Sequence, residues 1–258
     1  MCFDTCCNKY SKNKGEKFYL IQHYEVWGGP REMVDGTYRL GLHNIVVSTW
    51  LKNILEGIGA KVDALILNGV NLDEFYPEHS GRDDNEIRIL MPYRKEEWKG
   101  VKDGLKALEI VKMRYKNIKL VMFGPRARRG ELPDDVEFHL LPTGDKLRRV
   151  YNSCDIFCFP SRMEGSGLPP MEAMACKIPV VTTNVGAVPD YIIPEKTALV
   201  SPPNNPEALA QNIIRLIENE KKSKKIAERG YNHIKQFTWD KATDKLERIF
   251  WEHTGHTG

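Results

Sequence analysis

Short apolar runs alternate with amphipathic segments from residue 86 to residue 236. The runs are typical of strands buried on both faces, and the segments between them carry apolar residues at helical spacing. Strands are predicted at 87–92, 118–123, 136–140, 156–159, 178–182 and 197–200, and helices at 101–115, 146–152, 168–176, from 206, and at about 223–236. This alternation predicts an α/β fold with a Rossmann-like parallel sheet and helices on both faces, which binds ligands at the carboxyl ends of its strands.

A smaller βαβ-like unit precedes this region. Its strands are predicted at 18–23, 45–48 and 64–67, and its helix at 49–57 begins after Ser48, a favourable N-cap residue. Another helix start is indicated by Asn205-Pro206-Glu207, where cap, proline and acid stand in the favoured order. A last helix is predicted after Thr238.

Three parts of the chain follow from this pattern. Residues 1–78 comprise a polar tail and the small unit. Residues 79–236 form the Rossmann-like domain, after a linker at 77–85 that is rich in turn-forming residues. Residues 237–258 form the final helix.

Composition narrows the class of protein. Of the 258 residues, 41% are hydrophobic and 28% are charged, which is ordinary for a globular chain. The formal net charge of +3 is small, and the basic clusters lie close to acidic residues, so bulk nucleic-acid binding is not indicated. No apolar run reaches the roughly 18 residues of a membrane-spanning helix, and no secretory leader is evident. We expect a cytoplasmic protein, with contact to the inner face of a membrane left open.

The six cysteines do not form the dense framework of a small secreted domain, so reduced thiols are expected. Cys154, Cys158 and Cys176 stand in core-like settings. Cys2, Cys6 and Cys7 suggest a metal site, but the paired CxxC spacing and a fourth ligand are missing. Metal binding there is the weaker hypothesis.

The most specific signal is a pair of glutamates, Glu164 and Glu172, on either side of a glycine-rich loop. Gly165, Ser166, Gly167 and Leu168 make up that loop, which runs from a predicted strand into a helix. Glycines let backbone amides approach a ligand, and a helix N-terminus favours an anionic one. The alternative is that Glu164 is a solvated loop acid and Glu172 a charge on a helix surface. The glycine-rich loop and the strand before it favour a binding site.

A second cluster follows the first strand of the main domain. Arg94 and Lys99 stand there, at the same predicted sheet edge, and could jointly hold a diphosphate. A solvated basic turn is the alternative. Gly124, in the sequence Phe123-Gly124-Pro125 that closes the next strand, would let the chain turn beside a nucleotide, although a plain turn explains it almost as well.

The order and spacing of these segments resemble the C-terminal domain of the family 4 glycosyltransferases, or glycosyl transferases group 1, of the GT-B fold. The resemblance covers roughly residues 60–250 and includes the E-x7-E motif. It implies that residues 1–78 hold a truncated α/β remnant of the N-terminal, acceptor-side domain, and that the final helix at 237–258 crosses back toward it. It implies that Glu172 holds the ribose hydroxyls, that Glu164 contacts the donor sugar and that the 165–168 amides contact sugar and phosphate. Arg94 and Lys99 would neutralise the leaving diphosphate, with retention of configuration and without metal or cofactor.

Some positions depart from the family pattern. Ser166 replaces a common aromatic residue, and Lys177 stands where a glycine is common. His23 would face the cleft and contact the substrate, although a lone histidine is more often structural. The implied partners are a nucleotide-diphosphate sugar and a glycan or lipid-linked acceptor.

Other functions remain as alternatives. The first is a non-catalytic nucleotide-sugar-binding subunit whose acceptor site comes from a second polypeptide or a second copy of the chain. A glycoside hydrolase would use Glu164 and Glu172 as paired acids but leaves Arg94 and Lys99 unexplained. A dinucleotide-dependent dehydrogenase is disfavoured because no G-x-G-x-x-G turn follows the first strand of the main domain.

Overall fold

A computed structural model describes residues 15–79, 81, 85–127 and 130–255. Its N-terminal part is a small parallel sheet in the order β1-β2-β3, in which Phe18 of the first strand pairs with His43 of the second. The elements of this unit are β1 Phe18–Ile21, α1 Arg31–Thr37, β2 His43–Val46, α2 Thr49–Gly57 and β3 Ala64–Leu65.

The larger sheet has six parallel strands in the order β6-β5-β4-β7-β8-β9. These strands are β4 Ile87–Pro92, β5 Ile118–Gly124, β6 Glu137–Leu140, β7 Ile156–Phe159, β8 Val180–Thr183 and β9 Leu199–Ser201. The strand order reverses between β4 and β7. At such a switch point the loops diverge and leave a crevice at the carboxyl edge of the sheet.

Helices cover both faces of the large sheet. They are α3 Val101–Arg114, α4 Gly144–Asn152, α5 Leu168–Ala175, α6 Val188–Tyr191, α7 Pro206–Glu218 and α8 Glu220–Ile234. The last helix, α9 Trp239–Thr254, leaves this domain. Successive side chains of a strand point to opposite faces, so Leu90 joins the core that contains Met171, whereas Ile89 and Met91 join the core that contains Ile213. The predicted α/β fold class is therefore confirmed, as a six-stranded parallel sheet with a small three-stranded one.

Side-chain caps fix the three helix starts for which the sequence offered a cap residue. The Leu51 amide donates to Ser48 Oγ at 3.2 Å, the Ala208 amide to Asn205 Oδ1 at 2.9 Å and the Lys241 amide to Thr238 Oγ1 at 3.3 Å. These bonds satisfy amides that have no partner inside the helix. The starts predicted after these three residues are thus confirmed.

Several boundaries differ from prediction for local reasons. Helix α8 begins at Glu220 and not near 223, because Asn219 caps it through the Lys222 amide at 2.8 Å. Strand β8 begins at Val180 because Pro179 before it lacks the amide that a ladder needs. Helix α1 was not predicted: it has no buried residue, and therefore no apolar period to reveal it.

Lys177 illustrates how the fold accommodates a departure from the family pattern. Its φ is +60°, in the left-handed region that glycine occupies at less cost. Its ammonium lies 2.5 Å from Glu228 Oε2 on α8. The backbone there takes the conformation suited to glycine while the side chain forms an ion pair on the surface.

Helix α9 connects the two sheets. The Val70 amide donates to the Phe237 carbonyl at 3.0 Å just before this helix begins. Near its other end, the Phe250 ring lies 4.5 Å from that of Phe18 on β1. The helix thus runs from the edge of the large domain to the small unit. The proposed domain limits at 78 and 236 stay predictions, and part of the predicted linker at 77–85 lies outside the described residues.

In the described part of the chain, Cys154, Cys158 and Cys176 are buried and not disulfide-bonded. Burial raises the pKa of Cys154 to about 11 and that of Cys158 to about 12. Cys2, Cys6 and Cys7 lie outside the described residues. Within the described ranges, no helix has the length and apolar content to span a bilayer.

One glycine at the switch point gives a stability prediction. Gly100 has φ +65°, and a Cβ there would lie 1.9 Å from the Pro160 carbonyl oxygen. We expect Gly100→Ala to lower the free energy of unfolding by about 3 kcal/mol or more, because strain and a backbone clash act together. Gly59→Ala is the control, because Gly59 has φ +76° with open space around it. The left-handed strain alone should lower its free energy of unfolding by about 1–2 kcal/mol. Equal losses in urea unfolding would contradict the packing described here.

Candidate functional site

A cavity of about 530 Å³ lies at the switch point, between the carboxyl ends of β4 and β7 and the small unit. It is lined by every residue that the sequence predicted for the nucleotide-sugar site: His23, Arg94, Lys99, Gly124, Glu164, Gly165, Ser166, Gly167, Leu168 and Glu172. Elements far apart in the chain thus converge on one space.

Glu164 is buried, with 6% of its surface exposed. Lys99 Nζ lies 2.9 Å from each of its carboxylate oxygens, and Ser161 Oγ donates to Oε1 at 2.8 Å. Such charge-assisted bonds offset part of the cost of burying a carboxylate. Glu164 is therefore not a solvated loop acid.

Close backbone contacts hold the Glu164 loop. A Cβ at Gly165 would lie 1.8 Å from the Gln22 carbonyl oxygen, and one at Gly186 would lie 2.1 Å from the Glu164 carbonyl oxygen. The Ala187 amide also donates to the Gly165 carbonyl at 3.1 Å. The loop is thus fixed between the end of β1 and the turn after β8, and side chains at 165 or 186 would force these segments apart.

Helix α5 begins in the cavity wall. Gly167 precedes it with φ +73°, and its carbonyl accepts a hydrogen bond from the Tyr191 hydroxyl at 2.7 Å. Pro169 and Pro170 follow in the first turn. Amides in that turn have no partner inside the helix, so the missing N–H groups cost no intrahelical hydrogen bond. The positive end of the helix dipole and its free amides make this position suitable for an anion.

Glu172 lies one turn into α5. The Tyr151 hydroxyl, which is fully buried, donates to its Oε2 at 2.6 Å. Burial raises the pKa of the Glu172 carboxyl, the Tyr151 hydrogen bond opposes that rise, and the charge of Glu74 adds to it. Glu172 is therefore a partly buried acid in a fixed position and not a surface helix charge.

The two basic residues differ in their surroundings. Lys99 is paired with Glu164, whereas Arg94 is exposed and donates only to the Tyr93 carbonyl, at 3.1 Å, among the interactions of the described residues. A Cβ at Gly124 would lie 2.2 Å from the Tyr93 carbonyl oxygen and 3.1 Å from Arg94 Nη1. Gly124 therefore permits the close approach of the Arg94 loop, which a plain turn would not require.

His23 lies on the wall formed by the small unit, just after β1. Burial lowers its pKa, against the opposing effects of the Tyr24 carbonyl and the Glu164 charge, so the ring is neutral near pH 7. Its Nε2 is buried and has no hydrogen-bond partner in the part of the chain that the structure describes. The ring packs edge-on against Trp27, with centroids 4.7 Å apart.

Sequence reasoning missed several residues that line the cavity or lie directly behind its wall. Ser161 orients Glu164, Tyr151 orients Glu172, and Asn68 donates to Gln22 Oε1 at 3.0 Å across the wall of the small unit. The position of Ser161, two residues after a buried strand, was a usable signal. Tyr151 and Asn68 stand in segments whose pattern indicates only a helix and a turn. Apolar residues close one end of the cavity: Phe123, Leu141, Pro142 and Leu147.

Known proteins share this architecture. Sucrose-phosphate synthase from Thermosynechococcus elongatus superposes with a TM-score of 0.82 at 21% identity, over 96% of this chain and 69% of that one. The Anabaena HepE protein, solved in complex with UDP-glucose, superposes with a TM-score of 0.76 at 18% identity, over 90% of this chain and 72% of that one. The fold is therefore GT-B-like.

Residues 73–233 match the family described as glycosyl transferases group 1, and the chain belongs to that family. An uncharacterized glycosyltransferase of Methanocaldococcus jannaschii is 28% identical over 214 residues, which is 81% of this chain and 59% of that protein. The chain thus spans less than two thirds of the length of this relative.

The environment of Glu172 predicts a pH-dependent stability. A raised carboxyl pKa means that the folded state favours the protonated acid. The protonated Glu172 therefore contributes stability that is fully present below the ordinary carboxyl pKa. This stability is lost as pH rises through the folded-state pKa. Glu172→Gln keeps an acceptor for Tyr151 and carries no charge. We expect it to be more stable than the parent at pH 7, with an advantage that shrinks toward pH 4, as measured by urea unfolding.

Glu247→Gln, on an exposed face of α9, is the matched control and should show no comparable trend. An advantage of Glu172→Gln that grows toward pH 4 would contradict the assigned sign.

Proposed function

We propose that this chain carries the donor site of a retaining, metal-independent glycosyltransferase that moves a sugar from a nucleotide-diphosphate sugar to a glycan or lipid-linked acceptor. One observation carries the proposal: two acids, two cations and a glycine-started helix converge on a single cavity at the switch point of the sheet. Membership of the glycosyl transferases group 1 supports it. A lipid-linked acceptor would bring a cytoplasmic protein to the inner face of a membrane.

The donor is proposed to lie along the cavity. The diphosphate would accept hydrogen bonds from the amides at the start of α5 and from Arg94, while the partly buried Glu172 would hold the ribose hydroxyls. The base would then lie toward the apolar end, near Leu141 and Leu147. Glu164 and the amides of Gly165 and Ser166 remain for the sugar.

The chemistry follows from charge that develops on the leaving group. As the bond between the sugar carbon and the diphosphate oxygen breaks, negative charge grows on that oxygen, and fixed cations stabilise it more in the transition state than in the ground state. Lys99 is held in place by Glu164, so it needs no reorganisation for this role. The acceptor hydroxyl attacks from the leaving-group side and gives its proton to the departing diphosphate, which accounts for retention.

His23 is proposed to contact the donor sugar from the opposite wall. Its ring is neutral, and its Nε2 has no partner among the described residues. A sugar hydroxyl can both donate to and accept from a neutral imidazole, according to the tautomer. No proton transfer by His23 is required in this account.

Donor binding without transfer is the second candidate. In the described part of the chain, the small unit contributes Gln22, His23 and Asn68 to the cavity wall. An acceptor would need further contacts, which a second polypeptide or a second copy of the chain would supply. Release of nucleotide from the donor, measured with and without acceptor glycans, separates the two functions.

Calorimetry tests the donor site. We expect the chain to bind one member of a panel of UDP-, GDP-, dTDP- and ADP-sugars selectively in the presence of a chelator. Glu172→Ala and Lys99→Ala should each raise the dissociation constant about 10–100-fold, because each removes a charge-assisted contact. Retained donor affinity in both variants would contradict the proposal.

Two exposed residues of α3 provide controls for charge. Lys102 and Glu109 lie outside the cavity, so Lys102→Ala and Glu109→Ala should leave the affinity for the donor unchanged. If these two substitutions weakened binding as much as those in the cavity, the effect would be one of net charge and the cavity would not be the site.

A further inference from the structure

Three potential metal ligands converge at the amino edge of the small sheet, away from the donor cavity. They are His43 at the start of β2, Asp63 just before β3 and His253 in the last turn of α9. One ligand atom from each lies within 4.8 Å of the other two. His43 Nδ1 is 3.5 Å and His253 Nε2 is 3.8 Å from Asp63 Oδ1.

We propose that His43, Asp63 and His253 bind a zinc ion that fastens helix α9 to the small sheet. Ligand atoms about 2.0–2.1 Å from a tetrahedral zinc lie about 3.3 Å from one another. The observed separations exceed this by a few tenths of an ångström for two pairs, which small side-chain rotations close. Two imidazoles and one carboxylate match the preference of zinc, and water can complete the coordination.

The outer nitrogen of each histidine supports this assignment. His43 Nε2 lies 3.1 Å from Glu16 Oε2, and His253 Nδ1 lies 2.8 Å from the Ile249 carbonyl oxygen. With a metal ion bound, each outer nitrogen would carry its proton toward that acceptor, and the inner nitrogen would offer its lone pair to the ion. This is the arrangement by which carboxylates and carbonyls orient metal-binding histidines.

A cation between these three groups would offset the burial of the Asp63 carboxyl group. The Asp63 side chain is only 3% exposed, and the Asn44 backbone amide donates to its Oδ2 at 3.0 Å. Lys61 Nζ lies 2.5 Å from Oδ1, but the Lys61 side chain is 78% exposed. It can therefore turn into solvent when a metal ion binds. Lys61 is a competitor for the position and not a ligand.

The proposed ion has a structural consequence. β2 and β3 belong to the small unit, whereas α9 starts beside the large domain at the Val70–Phe237 contact. An ion that binds the folded arrangement alone stabilises it by mass action. Zinc would thus fix the small unit, and with it the His23 wall, relative to the donor cavity.

The test uses metal-free, untagged protein in which Cys2, Cys6 and Cys7 are replaced by Ser, because free thiols would also bind zinc. We expect one equivalent of Zn²⁺ to bind in calorimetry and to raise Tm by several degrees. His43→Gln and His253→Gln should each weaken Zn²⁺ binding at least about tenfold. His79→Gln, an exposed histidine outside the cluster, should leave the affinity unchanged.

Lys61→Gln provides a second test, which does not depend on removing a metal ligand. Because it removes the competing cation from an exposed side chain, Zn²⁺ should bind this variant more tightly than the parent. The proposal is overturned if the parent binds no Zn²⁺ at millimolar concentration, or if both histidine variants keep the parent affinity. It is equally overturned if Lys61→Gln fails to tighten binding.

Discussion

A buried carboxylate constrains the rest of the site. Glu164 lies beneath the cavity surface with Lys99 against both oxygens and Ser161 against one. A carboxylate so buried is tolerable only while its cation stays in contact, since breaking a buried pair by removing one partner costs about 3–5 kcal/mol. The loops after β4 and β7 must therefore stay together. Gly100, in the loop after β4, permits this by admitting the Pro160 carbonyl where any Cβ would clash.

The two acids of the E-x7-E motif have different environments, and this difference makes different tasks possible. Glu164 is neutralised by Lys99, so its charge is balanced before any donor arrives. Glu172 has a hydroxyl partner, Tyr151, and no cation among its hydrogen bonds in the described chain, so burial raises its pKa. A site that keeps such an acid gives up stability for function. The ribose hydroxyls of a donor would supply the partners that Glu172 lacks.

The sequence allowed much of the fold to be predicted, because buried parallel strands and capped helices have local signals. β4 and β7 were predicted at their observed limits, and the glycine-rich loop after β7 identified the cavity. Contacts between distant segments were not predictable in this way. Lys99 meets Glu164 across 65 positions of the chain, and His253 meets Asp63 only because α9 returns to the small sheet. No local pattern encodes such pairs, since they depend on how whole elements pack.

The most direct measurement is a crystal structure of the chain with a bound nucleoside diphosphate, prepared in the presence of a chelator. The account predicts diphosphate oxygens about 3 Å from the first amides of α5 and from Arg94 or Lys99, with the ribose on Glu172. A diphosphate bound elsewhere would contradict it, for example in the cavity of about 510 Å³ beside Cys176 and Lys177 at the opposite edge of the sheet.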